Sequence, residues 1–115
     1  MKIYSYAKIN LVIEILAKLE SGYHDLRGIY QNIDLRDEIT INESDKDSVM
    51  MDAGLVSQED NIVYTAIKNF KSTYSLKDSF QVVITKNIPV SSGLGGGSSN
   101  ASSVIMAINN MLKLN

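Results

Sequence analysis

Pro89-Val90-Ser91-Ser92-Gly93-Leu94-Gly95-Gly96-Gly97-Ser98-Ser99 puts four glycines and four serines into eleven residues, with Asn100 directly behind them. Such a stretch has few side chains to pack and much accessible backbone, which suits an anion. Glycine lets a chain take positive φ and approach a ligand closely. Successive N–H groups then form a concavity for phosphate oxygens, completed by the free N–H groups of a helix's first turn. A hydrogen bond to a charged group contributes ~1.5–3 kcal/mol, the helix dipole only ~0.3–1 kcal/mol. The donors decide the matter. Ser98 and Ser99 add hydroxyls, and one of them can reach a metal held by the phosphates.

The loop differs from two well-known phosphate loops. No lysine follows any of these glycines, so the pattern G-x-x-x-x-G-K-[ST] fails. Counted from Gly93, the last position of G-x-G-x-x-G is Ser98, so the dinucleotide fingerprint fails as well. A flexible Gly/Ser linker is the plainer alternative. The flanks argue against it. Phe80, Val82 and Ile84 alternate as in a half-buried strand, and Ala101, Val104, Ile105, Ala107, Ile108, Met111 and Leu112 recur at helix spacing.

With 115 residues the chain has room for one domain, burying roughly two-thirds of its unfolded surface. A net charge of −2, from 11 basic and 13 acidic residues, argues against a broad phosphate-neutralising surface for nucleic acid. The absence of cysteine excludes disulfides and thiolate metal sites, and a single histidine excludes a His-rich one. No apolar run approaches the ~20 residues of a membrane span, and no signal peptide opens the chain. The expectation is a cytoplasmic protein without membrane partners.

In chain order, residues 1–15 read as two strands or one bent one. Ile9, Leu11, Ile13 and Ile15 form one face, so Lys8 and Asn10 point together to the other. Lys18 to Gly22 is a polar turn, followed by Tyr23 and His24. A strand over 26–35 ends where Asp37 turns the chain into a second strand, 38–42, and residues 43–47 form a charged surface loop. Val49-Met50-Met51 is a short strand, its methionines core filler. Residues 57–61 open a helix capped by Asp60 or Asn61, with Val63, Ala66, Ile67, Phe70 and Tyr74 as its buried stripe. A polar loop over 72–78 leads to the 80–85 strand. Lys86 by itself reads as an exposed lysine. The fold class is α+β: a mixed or antiparallel sheet with helices near 62–74 and 99–113.

Pro-x-x-x-Gly-Leu-Gly-Gly-Gly-Ser-Ser-Asn-Ala, from Pro89 to Ala101, resembles the phosphate-binding motif of the GHMP kinases. Ala7-Lys8-Ile9-Asn10-Leu11 and Gly22-Tyr23-His24 are similar to further stretches of that superfamily's branch acting on a cytidine-diphosphate-linked methylerythritol, in non-mevalonate isoprenoid synthesis. The resemblance implies a GHMP N-terminal, ribosomal-protein-like domain over 1–115, with ATP and its Mg²⁺ on Pro89–Ser99. Within that site stand Pro89, Val90, Ser91, Ser92, Gly93, Leu94, Gly95, Gly96, Gly97, Ser98 and Ser99, with Asn61 and Lys86 beside the nucleotide. It makes Lys8 the catalytic cation, Asn10 a substrate contact, and Tyr23 with His24 the readers of cytosine. Family members continue into a second half supplying an aspartate that handles the acceptor proton. No aspartate here follows the loop. The expectation is an N-terminal part, inactive by itself, with an uncovered apolar face that invites self-association. Two rivals remain: a homoserine, mevalonate or sugar kinase of the same superfamily, disfavoured by Gly22-Tyr23-His24, and a non-enzymatic RNA-binding module of the same fold, disfavoured by the negative charge.

Overall fold

A computed structural model describes residues 1–52 and 58–114. Strand β1 (Lys2–Lys18) pairs antiparallel with β2 (His24–Ser44), which pairs antiparallel with β4 (Ser79–Thr85). Strand β3 (Ser48–Met51) runs parallel to β4 at the far edge, giving the order β1-β2-β4-β3. A parallel pair needs a crossover, and helix α1 (Ile62–Tyr74) supplies it. Helix α2 (Gly96–Met111) follows the glycine loop and packs against α1, β1 and β2. The sheet is mixed and the class α+β.

Period-2 alternation builds the core. Phe80, Val82 and Ile84 are fully buried, as are Ile39 and Ile41 beside them, while Gln81, Val83 and Thr85 face out. Val63 and Ile67 of α1 and Val104 and Ile108 of α2 close this face. Of the remaining stripe on α1, Ala66 and Phe70 are partly buried, and Tyr74 is exposed with its ring tilted against Phe70. Asn61 caps α1, its Oδ1 accepting the Val63 amide at 2.8 Å. Ser57, expected to open this helix, lies outside the described residues.

Three expectations need correction. Asp37 does not turn the chain: β2 runs unbroken through it, and Asp37 is fully buried. It shares the inward phase of Ile39 and Ile41, and donors from the segment behind β4 satisfy its carboxylate. Residues 43–47 are only partly loop, because Glu43 and Ser44 extend β2 and Asp47 stitches the turn, accepting from Lys71 at 2.6 Å and from the Phe80 amide at 2.9 Å. The simple alternation expected from Ile9 to Ile15 is broken by register shifts between Asn10 and Val12 and between Ile15 and Lys18.

Beyond Lys8 the β1–β2 hairpin leaves the helices behind. Leu11, Val12, Ile13, Ile15, Leu26 and Ile29 are all exposed there, on both faces of the ribbon. No described helix is long and apolar enough to cross a membrane.

Candidate functional site

β4 delivers the chain to the site. Residues 86–88 fold over the Asp37 carboxylate, whose Oδ1 accepts the Asn87 and Ile88 amides at 2.6 and 2.8 Å. The chain then turns through Pro89–Leu94 and reaches Gly95, the N-cap of α2, at φ 72°. That left-handed conformation explains the glycine. Gly96 has another reason: a Cβ there would meet Ile88 Cγ2 at 2.9 Å and the Lys86 ammonium at 3.1 Å.

No side chain caps α2. The first N–H groups of an α-helix have no intrahelical acceptor, and the residues that carry them here, Gly96, Gly97 and Ser98, line a cavity of about 370 Å³. Its wall includes Asn61, Lys86, Pro89 to Gly93, Gly95 to Ser98, and Asn100. Across the loop lies a second, open cavity of about 540 Å³, lined by Tyr6, Lys8, Asn32, Gly93, Gly95, Ser98 and Ser99. Gly93, Gly95 and Ser98 border both. Leu94 lines neither; its carbonyl accepts the Lys8 amide at 3.0 Å, holding the loop along the free edge of β1.

Lys8 is the cation of the second cavity. Its Nζ donates to the Gly93 carbonyl at 2.9 Å and sits 3.5 Å from Asn10 Oδ1, so the two side chains do point together. The Tyr6 wall is braced from outside by Arg36, whose guanidinium stands over the Tyr4 and Tyr6 rings at 4.6 and 5.7 Å.

Lys86 is not an exposed lysine. Its side chain is only 7% exposed, paired with Asp37 at 2.5 Å and bonded to Asn100 Oδ1 at 3.1 Å. Asn100 Nδ2 in turn donates to Asp37 and to Ser5 Oγ. Burial pushes the Asp37 carboxyl up, but hydrogen bonds from the Ile88 amide, Lys86, Asn100 and the Asn87 amide outweigh it and hold it below the ordinary carboxyl range. Sequence reasoning misses Ser5, Asp37 and Asn100 as site residues. The only trace in the sequence is an aspartate in phase with two inward isoleucines.

Tyr23 and His24 are not brought to the loop. They stand at the hairpin tip, where His24 pairs with Lys18, and neither borders the two cavities beside the loop. Ten residues of strand separate Lys18 from Lys8, up to ~33 Å if fully extended.

The profile of the GHMP kinases N terminal domain matches residues 61–115. The chain is 40% identical to a 4-diphosphocytidyl-2-C-methyl-D-erythritol kinase of Lachnoclostridium phytofermentans, over 96% of this chain and 39% of that protein. It is 42% identical to the enzyme of that name from Clostridium beijerinckii, over 100% of this chain and 42% of that protein. A crystal structure of 4-(cytidine 5'-diphospho)-2C-methyl-D-erythritol kinase superposes with a TM-score of 0.79 at 25% identity, over 96% of this chain and 40% of that one. The chain carries the N-terminal domain of the GHMP kinases over residues 61–115. Its fold is their N-terminal domain, and homoserine kinase from Cytophaga hutchinsonii shares that fold with a TM-score of 0.71 at 21% identity. The chain spans about 40% of the length of the relatives it matches.

Proposed function

We propose that the chain is the nucleotide-binding, N-terminal part of a kinase that transfers the γ-phosphoryl group of ATP to the 2-hydroxyl of 4-diphosphocytidyl-2-C-methyl-D-erythritol. One observation carries this reading: a single uncapped, glycine-rich helix start borders two cavities, with the Lys8 ammonium on one side and Asn61 on the other.

ATP occupies the first cavity, its base end at Asn61 and the 89–92 segment, its phosphates on the amides of Gly95 to Ser98. Such amides bind anions without being charged themselves. Among the described residues no cluster of three or more His, Cys, Asp or Glu could hold a metal ion. Mg²⁺ in nucleotide sites is held largely by the phosphates and water, and the Ser98 hydroxyl, bordering both cavities, is the side chain placed to assist. Held there, such an ion would supply charge neutralisation to the phosphates.

The acceptor alcohol occupies the second cavity. Its oxygen attacks the γ-phosphorus, the bond to the β–γ bridging oxygen breaks, and ADP leaves with that electron pair. Lys8 stabilises the charge on the transferring group, and Asn10 positions the acceptor beside it. The hydroxyl proton needs a base. No carboxylate borders the second cavity among the described residues, so the chain by itself transfers phosphate very slowly. Tyr23, 77% exposed at the hairpin tip, offers a ring for cytosine to stack on, and His24 a hydrogen bond to the base edge, a role that requires the hairpin tip to curl toward the second cavity.

A panel of acceptors on the full-length gene product tests this. Efficient phosphorylation of 4-diphosphocytidyl-2-C-methyl-D-erythritol, with homoserine, mevalonate and galactose unused, is expected. Preference for any of those three contradicts the substrate assignment.

A further inference from the structure

Beneath the phosphate loop lies a charged pair that no step above uses. The Asp37 carboxylate is fully buried and the Lys86 side chain nearly so. Asp37 is saturated with donors: two amides on Oδ1, the Lys86 ammonium and Asn100 Nδ2 on Oδ2. Lys86 is fixed as firmly, between Asp37 and Asn100 Oδ1. The pair is therefore a dipole with one direction. The group closest to the loop is its ammonium: beside Ile88, Lys86 Nζ is the atom nearest to where a Cβ on Gly96 would stand, at 3.1 Å, with the Asp37 oxygens farther off. Asn100 ties the same cluster to Ser5 at 2.6 Å, three residues ahead of Lys8 on β1.

Packing does not require charges at this place. A buried ion pair contributes little stability over a well-packed neutral replacement, because desolvation offsets the attraction. An oriented charge under an anion site is another matter, since in a poorly solvated interior its field reaches a nearby phosphate far better than through water.

We propose that Asp37 is a positioning residue of the nucleotide site, holding the Lys86 ammonium against Gly96 so that the positive end of the pair strengthens phosphate binding on the loop. This rests on the nucleotide reading above.

The test compares the wild-type chain, Lys86→Met and the double variant Asp37→Asn/Lys86→Met. Each is titrated with MgATP and with tripolyphosphate while the amide resonances of Gly95, Gly96 and Gly97 are followed, and its stability is measured in urea. In Lys86→Met the carboxylate is left without its counter-charge, so both stability and affinity fall. The double variant matches shape without charge, and the Asn100 amide can turn to accept from the carboxamide introduced at position 37. Its stability recovers, but its affinity for both ligands stays about fivefold to tenfold below wild type, as expected for a lost charge at an anion site. Full recovery of affinity along with stability makes the pair merely structural and overturns the proposal. If the double variant does not fold, Lys86→Gln, which keeps a donor to Asp37, carries the same comparison: affinity unchanged from wild type overturns it. A wild-type chain that answers neither ligand removes the nucleotide reading itself, and this inference with it. A responsive wild type with an equally responsive double variant removes this inference alone.

Discussion

The Lys8 ammonium meets the Gly93 carbonyl at 2.9 Å across 85 residues of chain. That contact joins the two stretches on which the functional reading depends, the N-terminal strand and the glycine loop, at the border of the two cavities. Only the ammonium is spare for chemistry, since the stem of this partly buried lysine lies against Gly95 and its amide fastens the loop through Leu94, and methionine keeps both.

Lys8→Met should therefore separate catalysis from folding. In the full-length enzyme kcat falls by about a hundredfold or more, the typical loss when one donor to a developing charge is removed. KM for ATP stays within about threefold, because the cavity proposed for the nucleotide is the other one. Steady-state kinetics beside a thermal melt checks this. An unchanged kcat contradicts the role given to Lys8.

Gly96 and Gly97 are neighbours with opposite expectations. Gly96→Ala forces a methyl against Ile88 Cγ2 at 2.9 Å and Lys86 Nζ at 3.1 Å, and overpacking of this kind costs about 1–3 kcal/mol. At Gly97 a Cβ finds only Ile62 Cγ2, at 3.6 Å, and alanine in place of glycine within a helix gains up to about 1 kcal/mol. Urea denaturation of the two variants reads both signs. Equal stabilities would mean that the loop rides higher over Ile88 than the structure places it.

Acid should act through Asp37. Its carboxyl is held below the ordinary range, so the stability it contributes is present above the unfolded value of about 3.9 and is lost as pH falls through the lower folded value. Asp37→Asn leaves the Lys86 ammonium buried without a counter-charge, a loss of about 3–5 kcal/mol at pH 7. The gap between wild type and variant then narrows below pH ~4. Denaturation curves at pH 7 and pH 3 measure it, and a gap that widens in acid contradicts the assignment.

Asn61 carries two duties that one pair of variants can part. It caps α1 through Oδ1 and borders the first cavity. Asn61→Ala loses the cap, about 1 kcal/mol. Asn61→Asp keeps the cap but removes the Nδ2 donor, so the melt stays near wild type while ATP binding weakens. Undiminished ATP binding by Asn61→Asp would confine Asn61 to the cap.

The exposed hairpin predicts behaviour in solution. Leu11, Ile13 and Ile29 stand about half exposed on a ribbon that the helices do not cover, and apolar surface of that kind drives association. Light scattering of the chain should give a mass above that of a monomer at high concentration, reduced by Leu11→Glu together with Ile29→Glu. A clean monomer at every concentration speaks against it.

Local chemistry makes much of this legible beforehand. Period-2 runs locate β4 and the inward half of β2, the pair Asp60-Asn61 announces the start of α1, and the glycine loop announces α2. What stays hidden depends on contacts distant in the chain. Asp37 looks like a turn former because an isolated strand gives no sign that Lys86 and two amides, some 50 residues on, will satisfy a buried carboxylate. Lys86 looks exposed for the matching reason. The register shifts near Leu11 and Ile15 arise from the coiling of a long two-stranded ribbon, which the composition of either strand alone does not display. Motif groups Tyr23 and His24 with Lys8, yet the hairpin carries them to its far end.

The helix start at Gly95–Ser98 is assigned to a nucleotide's phosphates, and every role given to Lys8, Lys86 and Asn61 depends on that. An NMR titration of the wild-type chain with MgATP, with AMP as the comparison, tests it most directly. Saturable shifts concentrated on the amides of Gly95, Gly96, Gly97 and Ser98 are expected, much weaker with AMP. Shifts that are absent, or that fall on residues away from this loop, contradict it.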